Sequence, residues 1–524
     1  MSDIYLPREF VARLLEKNAL LGPVDGLYVS SEVGLQKSTG ALFDHVLAKE
    51  GLKPAELLHI GDSQAWDVDM PRKRGVRALH YEQSKLSRYE ENLLHGISAD
   101  SLKLSRFAGA VRFARLSCPY DNLQSRTVWE VTTNVSGPLM LGYVKWCLDR
   151  ARALKLKRLY FLSRDGQVLL KLAEIVKQRY GFDIELRYLH VSRQALLFPA
   201  LVEITDEELE WILAPTSLLT VRIVLKRINF EAEEFDQLLA EHGFDRSGYD
   251  SHLSPEERGR LRALLTDERV REMILPRAEQ FRTRVLAYLA QEGVTADERF
   301  AVVDIGWNGT LQRSISRMLS HQGHTAPLRG FYFGLRRRLR FKESDELYAY
   351  FSDAEAPAPV ESAVYIIPMV ELFTAADHGV VLGYEQGGNV WQPILKSRTN
   401  EAGIAWGVGI QQEAMQTLAG IILDRSLELL ENEEAYKALC GKNFADFILT
   451  PSRLEAEAYG AYPFREEQND TYAFRLASKY SVLELLQHKR HGFKHHHDEW
   501  SQGALELSSP VARRLLGIAN RTID

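Results

Sequence analysis

The chain has 524 residues, of which 45% are hydrophobic and 26% charged, and a formal net charge of −6. Such a length predicts about two to four domains with ample core, and the mild acidity excludes general nucleic-acid binding, which needs a basic surface. Three scattered cysteines, Cys118, Cys147 and Cys440, lack metal-ligand spacing and predict a reducing compartment with no zinc site. Met1 is followed by Ser-Asp and an amphipathic helix rather than by a basic and then apolar leader. The most apolar later stretch, Ala363–Ala376, contains Glu371 and is too short to span a bilayer. A cytoplasmic location is expected.

In chain order, the pattern predicts a helix over Pro7–Ala19, a strand over Gly26–Ser30, a helix over Gly40–Lys49 and a strand over Leu57–Ile60. These fill a first domain, residues 1–83. A connecting region, 84–135, includes the polar stretch Ser84–Asn92 and leads to an amphipathic helix, Gly137–Leu154. A second domain, 136–342, contains strands over Leu159–Leu162, Ile184–Val191, Phe300–Val303 and Leu328–Leu335, with helices over Val168–Val176 and Leu311–Leu319. It is interrupted by a helix-rich insertion, about 197–298, with charge-rich helices Asp206–Leu213, Glu231–His242, Glu256–Leu265 and Arg277–Gln291 and turn signals at Pro215 and Pro255. A mixed C-terminal region, 343–524, holds a hairpin (Gly379–Tyr384 and Asn389–Trp391) and long helices around Gly409–Asn432 and Ala435–Thr450.

Two corners of the second domain carry chemistry. In one, the strand Phe300–Val303 ends at Asp304, and the turn Gly306-Trp307-Asn308-Gly309-Thr310 opens a helix. Backbone N–H groups and a helix N-terminus then point at one spot, which suits a phosphate. Gly306 and Gly309 admit the anion, Thr310 adds a hydroxyl, and Asp304 is placed to meet sugar hydroxyls. The other corner repeats the logic with Ser163-Arg164-Asp165-Gly166, and the next strand ends at Ser192-Arg193. Any doubly wound sheet supplies corners of this kind, so the competing reading is a turn that merely packs.

The order strand, Arg-Asp-Gly loop, helix, strand, Arg, then strand, D-x-G-x-x-G-T loop, helix, strand resembles the type I phosphoribosyltransferases. That resemblance implies that Ser163, Arg164, Asp165, Gly166 and Arg193 grip pyrophosphate with Mg2+, and that Gly306, Asn308, Gly309 and Thr310 grip a 5-phosphate. Asp304 would orient the ribose. The family usually has two adjacent acids before the second turn, whereas here Val303 precedes Asp304.

The first domain resembles motifs two, three and four of haloacid-dehalogenase-like phosphatases: Ser2 as the hydroxyl, Lys37 as the lysine, and Asp62 and Asp67 as an acid pair for magnesium. The family's nucleophilic D-x-D precedes motif two and has no counterpart in this chain, so the resemblance implies a vestigial phosphatase site. The expected fold class is therefore α/β, with two Rossmann-like parallel-sheet domains, the first partial and dehalogenase-like and the second phosphoribosyltransferase-like, plus the insertion and the mixed C-terminal region.

Elsewhere, Glu371 and His378, near Asp377 at a helix end, are candidates for an acceptor-activating base; a helix cap is the competing reading. Arg336, Arg337, Arg338, Arg340 and Lys342 read either as a solvated face or as phosphate contacts. His491 and His495–His497 lack a spaced partner and read as surface. The final helix, Pro510–Asn520, carries Arg513 and Arg514 beside apolar residues, so peripheral membrane contact competes with packing against the body.

The pairing of the two resemblances implies bacterial polysaccharide assembly. A phosphoribosyl group would pass from phosphoribosyl pyrophosphate to a sugar hydroxyl of a glycan acceptor, free or lipid-linked, with inversion. The alternatives are a dehalogenase-like phosphohydrolase of a sugar phosphate, a nucleobase phosphoribosyltransferase, and a non-catalytic binding protein.

Overall fold

The computed structural model describes residues 1–20, 22, 26–96, 100–216, 218–294, 299–336, 344–353, 366–465, 473–491 and 500–515. The chain forms two compact units, Met1–Arg88 and Tyr89–Asp524.

In the first unit, β1 (Leu58–Gly61) pairs in parallel with β2 (Arg77–His80). The helix Ala41–Glu50 buries Leu42, Phe43, Val46 and Leu47. The strand expected over Gly26–Ser30 does not form: Val29 makes a single parallel bridge to Ser2, and Ser30–Val33 is helical. The cause is local. Ser30 Oγ accepts from Ile4 N–H at 2.9 Å and donates to Ile4 C=O at 3.2 Å, so a side chain takes the place of the next ladder step. The parallel sheet of this unit accordingly has two strands among the described residues, fewer than the Rossmann-like reading implies.

The second unit is built on five parallel strands: β3 (Arg158–Leu162), β4 (Glu185–Leu189), β5 (Phe300–Asp304), β6 (Arg329–Gly334) and β7 (Glu346–Ser352), in the order β4–β3–β5–β6–β7. An all-parallel sheet needs cover on both faces, and its central strands should be apolar throughout. β3 and β5 are buried at every residue, whereas the edge strand β4 is buried only at Leu189. Alternation along the strands sends Leu159, Phe161, Ala301 and Val303 into one core with Tyr143, Val144, Leu169 and Met415. Tyr160, Leu162, Phe300 and Val302 face a second core with Val285, Tyr288, Ile315 and Met318. The strand β7, with alternating Leu347, Ala349 and Phe351, was not anticipated from sequence.

The insertion has its own core around Phe198, Leu225, Phe235, Leu264 and Ile274. Its longest helix starts at Glu268, earlier than expected, and carries Pro276 internally. The C-terminal helices Val408–Arg425 and Glu433–Leu449 join the first core of the sheet rather than making one of their own. An antiparallel hairpin, β8 (Val381–Gly387) with β9 (Val390–Leu395), adjoins the second core. No helix among the described residues is long and apolar enough to cross a membrane. The final helix is described over Pro510–Leu515, whereas Leu516 and Ile518 lie outside the described residues.

Tyr143, fully buried on the helix Gly137–Ala153, ties that helix to the sheet. Its hydroxyl lies 2.7 Å from Asp304 C=O, at the end of β5, and 2.8 Å from Phe331 C=O, within β6. Tyr143→Phe should lower unfolding stability by about 1–3 kcal/mol, the cost of leaving buried carbonyls unpaired. A urea midpoint shift at unchanged slope would register it, and an unchanged midpoint would show that the hydroxyl is dispensable.

Candidate functional site

The sheet reverses direction between β3 and β5: β4 lies to one side of β3, and β5, β6 and β7 follow on the other. In open parallel sheets the crevice at such a switch point, outside the carboxyl ends of the strands, is where ligands sit. Both sequence-predicted loops meet that crevice. Val303 pairs with Phe161, which sets the end of β5 level with the end of β3. From there Ser163–Gly166 leads into the helix Gly166–Tyr180, and Ile305–Gly309 leads into the helix Thr310–His321.

The second loop is held from beneath. Gly334 N–H donates to Ile305 C=O at 3.1 Å, and Arg336 N–H donates to Trp307 C=O at 2.8 Å. Gly306 has φ 129°, and a Cβ there would fall 2.0 Å from Gly334 C=O, so no other residue fits. Gly309, the residue that caps the helix, has φ 69°. The helix itself is braced on two sides. Gln312 Nε2 donates to Leu328 C=O at 2.8 Å and Tyr332 Oη donates to Gln312 Oε1 at 2.6 Å. Arg313 pairs with Glu208 of the insertion at 2.8 Å, and Arg317 also bonds Glu208. The side chains of Asn308 and Thr310, by contrast, make no hydrogen bond to any described residue.

Two carboxyl groups face this crevice. Asp304 is buried at the end of β5. Burial, and secondarily the neighbouring Asp165, push its carboxyl up to about 8, against the opposing effect of the Ile305 and Gly306 N–H groups and Arg193. Asp165 is also raised by burial, opposed by Arg164, a hydrogen bond from Thr374 and Arg193. Arg164 and Arg193 are exposed, and neither guanidinium makes a hydrogen bond or close ion pair with a described residue. Ser163, by contrast, is structural: its hydroxyl donates to Val191 C=O at 2.7 Å and accepts from Val191 N–H at 3.1 Å.

The segment after the helix Ile366–Phe373 adjoins the first loop. Thr374 Oγ1 lies 3.0 Å from Asp165 Oδ1, and Gln167 Nε2 donates to Asp377 Oδ1 at 2.6 Å. His378 Nδ1 sits 2.8 Å from Gly379 C=O, which can only accept, so Nδ1 carries the proton and Nε2 accepts from Tyr188 Oη at 2.7 Å. Both nitrogens of this candidate base are engaged with protein groups. Glu371 is partly buried on the preceding helix, and Thr374 bonds Asp165. Sequence reasoning missed Thr374 and Tyr143, whose partners are remote in the chain. Arg336 is exposed, while Arg337, Arg338, Arg340, Lys342 and His495–His497 lie outside the described residues. His491 ends the helix Val482–His491.

In the first unit Asp67 is saturated. Its Oδ1 lies 2.6 Å from Lys37 Nζ and 2.8 Å from His59 Nε2, and its Oδ2 accepts from Ser63 N–H at 3.0 Å. Burial alone would raise this carboxyl, but the bonds from Lys37, His59 and Ser63 outweigh it and hold the group at about 2. The Asp62 side chain is exposed and not hydrogen-bonded to Asp67, and Ser2 contributes backbone bonds to Tyr28 and Ser30. Among the described residues no three His, Cys, Asp or Glu side chains cluster as a metal site. No protein-family model matches the chain, and no curated protein is significantly similar to it.

Two pH dependences follow. For Asp304 the folded value lies above the unfolded one, so the wild type loses stability as pH rises from about 4 towards about 8. Asp304→Asn should remove that loss, melting higher than the wild type at pH 9 and approaching it near pH 4; parallel melting curves would contradict the burial argument. For Asp67 the folded value lies below the unfolded one, so the first unit loses stability as pH falls from about 4 towards about 2. Asp67→Asn should lower its stability at neutral pH and flatten that acid limb, as read by thermal melts across the range.

Proposed function

We propose that this chain is a pentosyltransferase that moves a 5-phosphoribosyl group from phosphoribosyl pyrophosphate to a sugar hydroxyl of a bacterial polysaccharide, with inversion. The observation that carries the reading is the crevice between β3 and β5. Two carboxyl groups, Asp165 and Asp304, face two unbonded guanidiniums, Arg164 and Arg193, between the N-termini of two helices. A ligand with a diphosphate at one end, a monophosphate at the other and hydroxyls between them matches that array of charge.

On this reading the 5-phosphate lies on the Asn308-Gly309-Thr310 turn, with backbone N–H groups, the helix N-terminus and the free Thr310 hydroxyl as donors. Arg164, the Asp165-Gly166 backbone and Arg193 meet the pyrophosphate, for which a planar guanidinium fork is suited. Asp304 accepts from the ribose hydroxyls and, when ionised, offsets positive charge growing at the anomeric carbon. The acceptor oxygen bonds to that carbon as its bond to the pyrophosphate oxygen breaks. The acceptor proton passes to solvent or to the departing pyrophosphate, and an α-linked donor gives a β-ribofuranosyl 5-phosphate product.

A carboxyl pair at the mouth of a crevice, Asp304 buried and Asp165 half-buried beside it, fits a hard divalent cation. Magnesium commonly takes one or two carboxylates and fills its shell from substrate phosphates. Asp165 and Asp304 would hold Mg2+, which supplies charge neutralisation of the diphosphate leaving group. The first unit then serves as a scaffold, since Asp67 is committed to Lys37, His59 and Ser63.

Calorimetric titration with phosphoribosyl pyrophosphate and Mg2+ tests the donor assignment. The wild type should bind. Gly309→Val should weaken binding at least tenfold, because a β-branched residue resists a φ of 69° and its side chain crowds the anion. Binding that survives in Gly309→Val would remove the turn from the site, and no binding by the wild type would overturn the donor.

A further inference from the structure

Thr374 is fully buried at the end of the helix Ile366–Phe373, over two hundred residues downstream of the loop it touches. Its hydroxyl has one proton and three acceptors in reach: Asp165 Oδ1 at 3.0 Å, Val370 C=O at 2.9 Å and, more distantly, Glu371 C=O at 3.5 Å. Around this contact the same segment is fastened to the first loop's helix by polar bonds. Asp377 N–H donates to Gln167 Oε1 at 3.1 Å, and Gln167 Nε2 returns a bond to Asp377 Oδ1. Gln412 Nε2, on the helix Val408–Arg425, donates to Gln167 Oε1 at 2.9 Å and to Ala375 C=O at 3.1 Å. Thr374 therefore cannot drift relative to Asp165 without breaking a network drawn from three separate stretches of chain.

A carboxyl on a short loop can turn about its last torsion and present either oxygen. A bond to one oxygen from a rigidly mounted hydroxyl ends that freedom. We propose that Thr374 is a positioning residue for the transfer site: it fixes Asp165 through Oδ1 and leaves Oδ2 to face the diphosphate end of the donor with its magnesium. The inference rests on the donor reading above. Threonine suits the task because its branched Cβ restricts the first side-chain torsion, and its single proton can turn from the carbonyl four residues back to Oδ1 without the side chain moving. Outer partners that orient metal-binding carboxylates typically matter by about 10–100-fold in affinity.

The test is calorimetric titration of the full chain with phosphoribosyl pyrophosphate and Mg2+, comparing the wild type, Thr374→Val and Thr374→Ser. Melting temperatures serve as the folding check. Thr374→Val should raise Kd by about tenfold or more, while Thr374→Ser, which keeps the hydroxyl, should recover most of the affinity. Equal binding by the wild type and Thr374→Val would overturn the positioning role and leave the donor reading standing. A serine variant as weak as the valine one would also overturn it, by assigning the effect to packing. Absence of binding in the wild type would bring down the donor reading and this inference together. Should Thr374→Val not fold, Thr374→Ala replaces it with the same readings.

Discussion

Two neighbouring carboxyl groups at the end of a buried sheet, Asp304 buried and Asp165 half-buried, set the terms for the rest of the second unit. A buried charge is costly, and a second one nearby adds repulsion. Burial raises both carboxyl groups, and the opposing contacts come from the Ile305 and Gly306 N–H groups at Asp304 and from Thr374 at Asp165. The central strands beneath are buried at every residue, so close packing holds that arrangement in place. The long helices on both faces supply the packing, and Tyr143 joins one of them to the strand end that carries Asp304.

The insertion and the C-terminal helices are best understood as supports for the two loops. The insertion reaches the second loop's helix through Glu208, which gathers Arg313 and Arg317 at one buried carboxylate. The C-terminal region reaches the first loop through Thr374, Asp377 and Gln412. Each loop is therefore fixed by a part of the chain distant from it in sequence, as a site that must hold two ends of one ligand at a set spacing would need.

Much of the sheet was legible because its central strands are short apolar runs that end abruptly in glycine-rich turns. β3 and β5 announce themselves in this way, and so do the loops at Asp165 and Asp304. β7 is hard to read because Glu346–Ser352 is a short run beside the charged stretch Arg336–Asp345. Gly26–Ser30 misled because a β-rich run cannot show that Ser30 will satisfy Ile4 with its own hydroxyl. Thr374 illustrates the harder limit: nothing near it in sequence marks it, since its partner is set by tertiary pairing. His378 shows the reverse, a residue with a catalytic look whose two nitrogens are occupied by Gly379 and Tyr188.

The sharing of one core between early and late segments bears on how the protein is made. β3 and the helix Gly166–Tyr180 leave the ribosome well before the helix Val408–Arg425 that covers their apolar side. At roughly 5–20 residues per second, the wait for about 240 intervening residues is on the order of 10–50 seconds. During that interval the nascent sheet has the helix Gly137–Ala153, but not yet Val408–Arg425, against this core, and its first loop has no Thr374 to meet. The insertion, whose apolar residues form a core separate from those of the sheet, is synthesised within that interval.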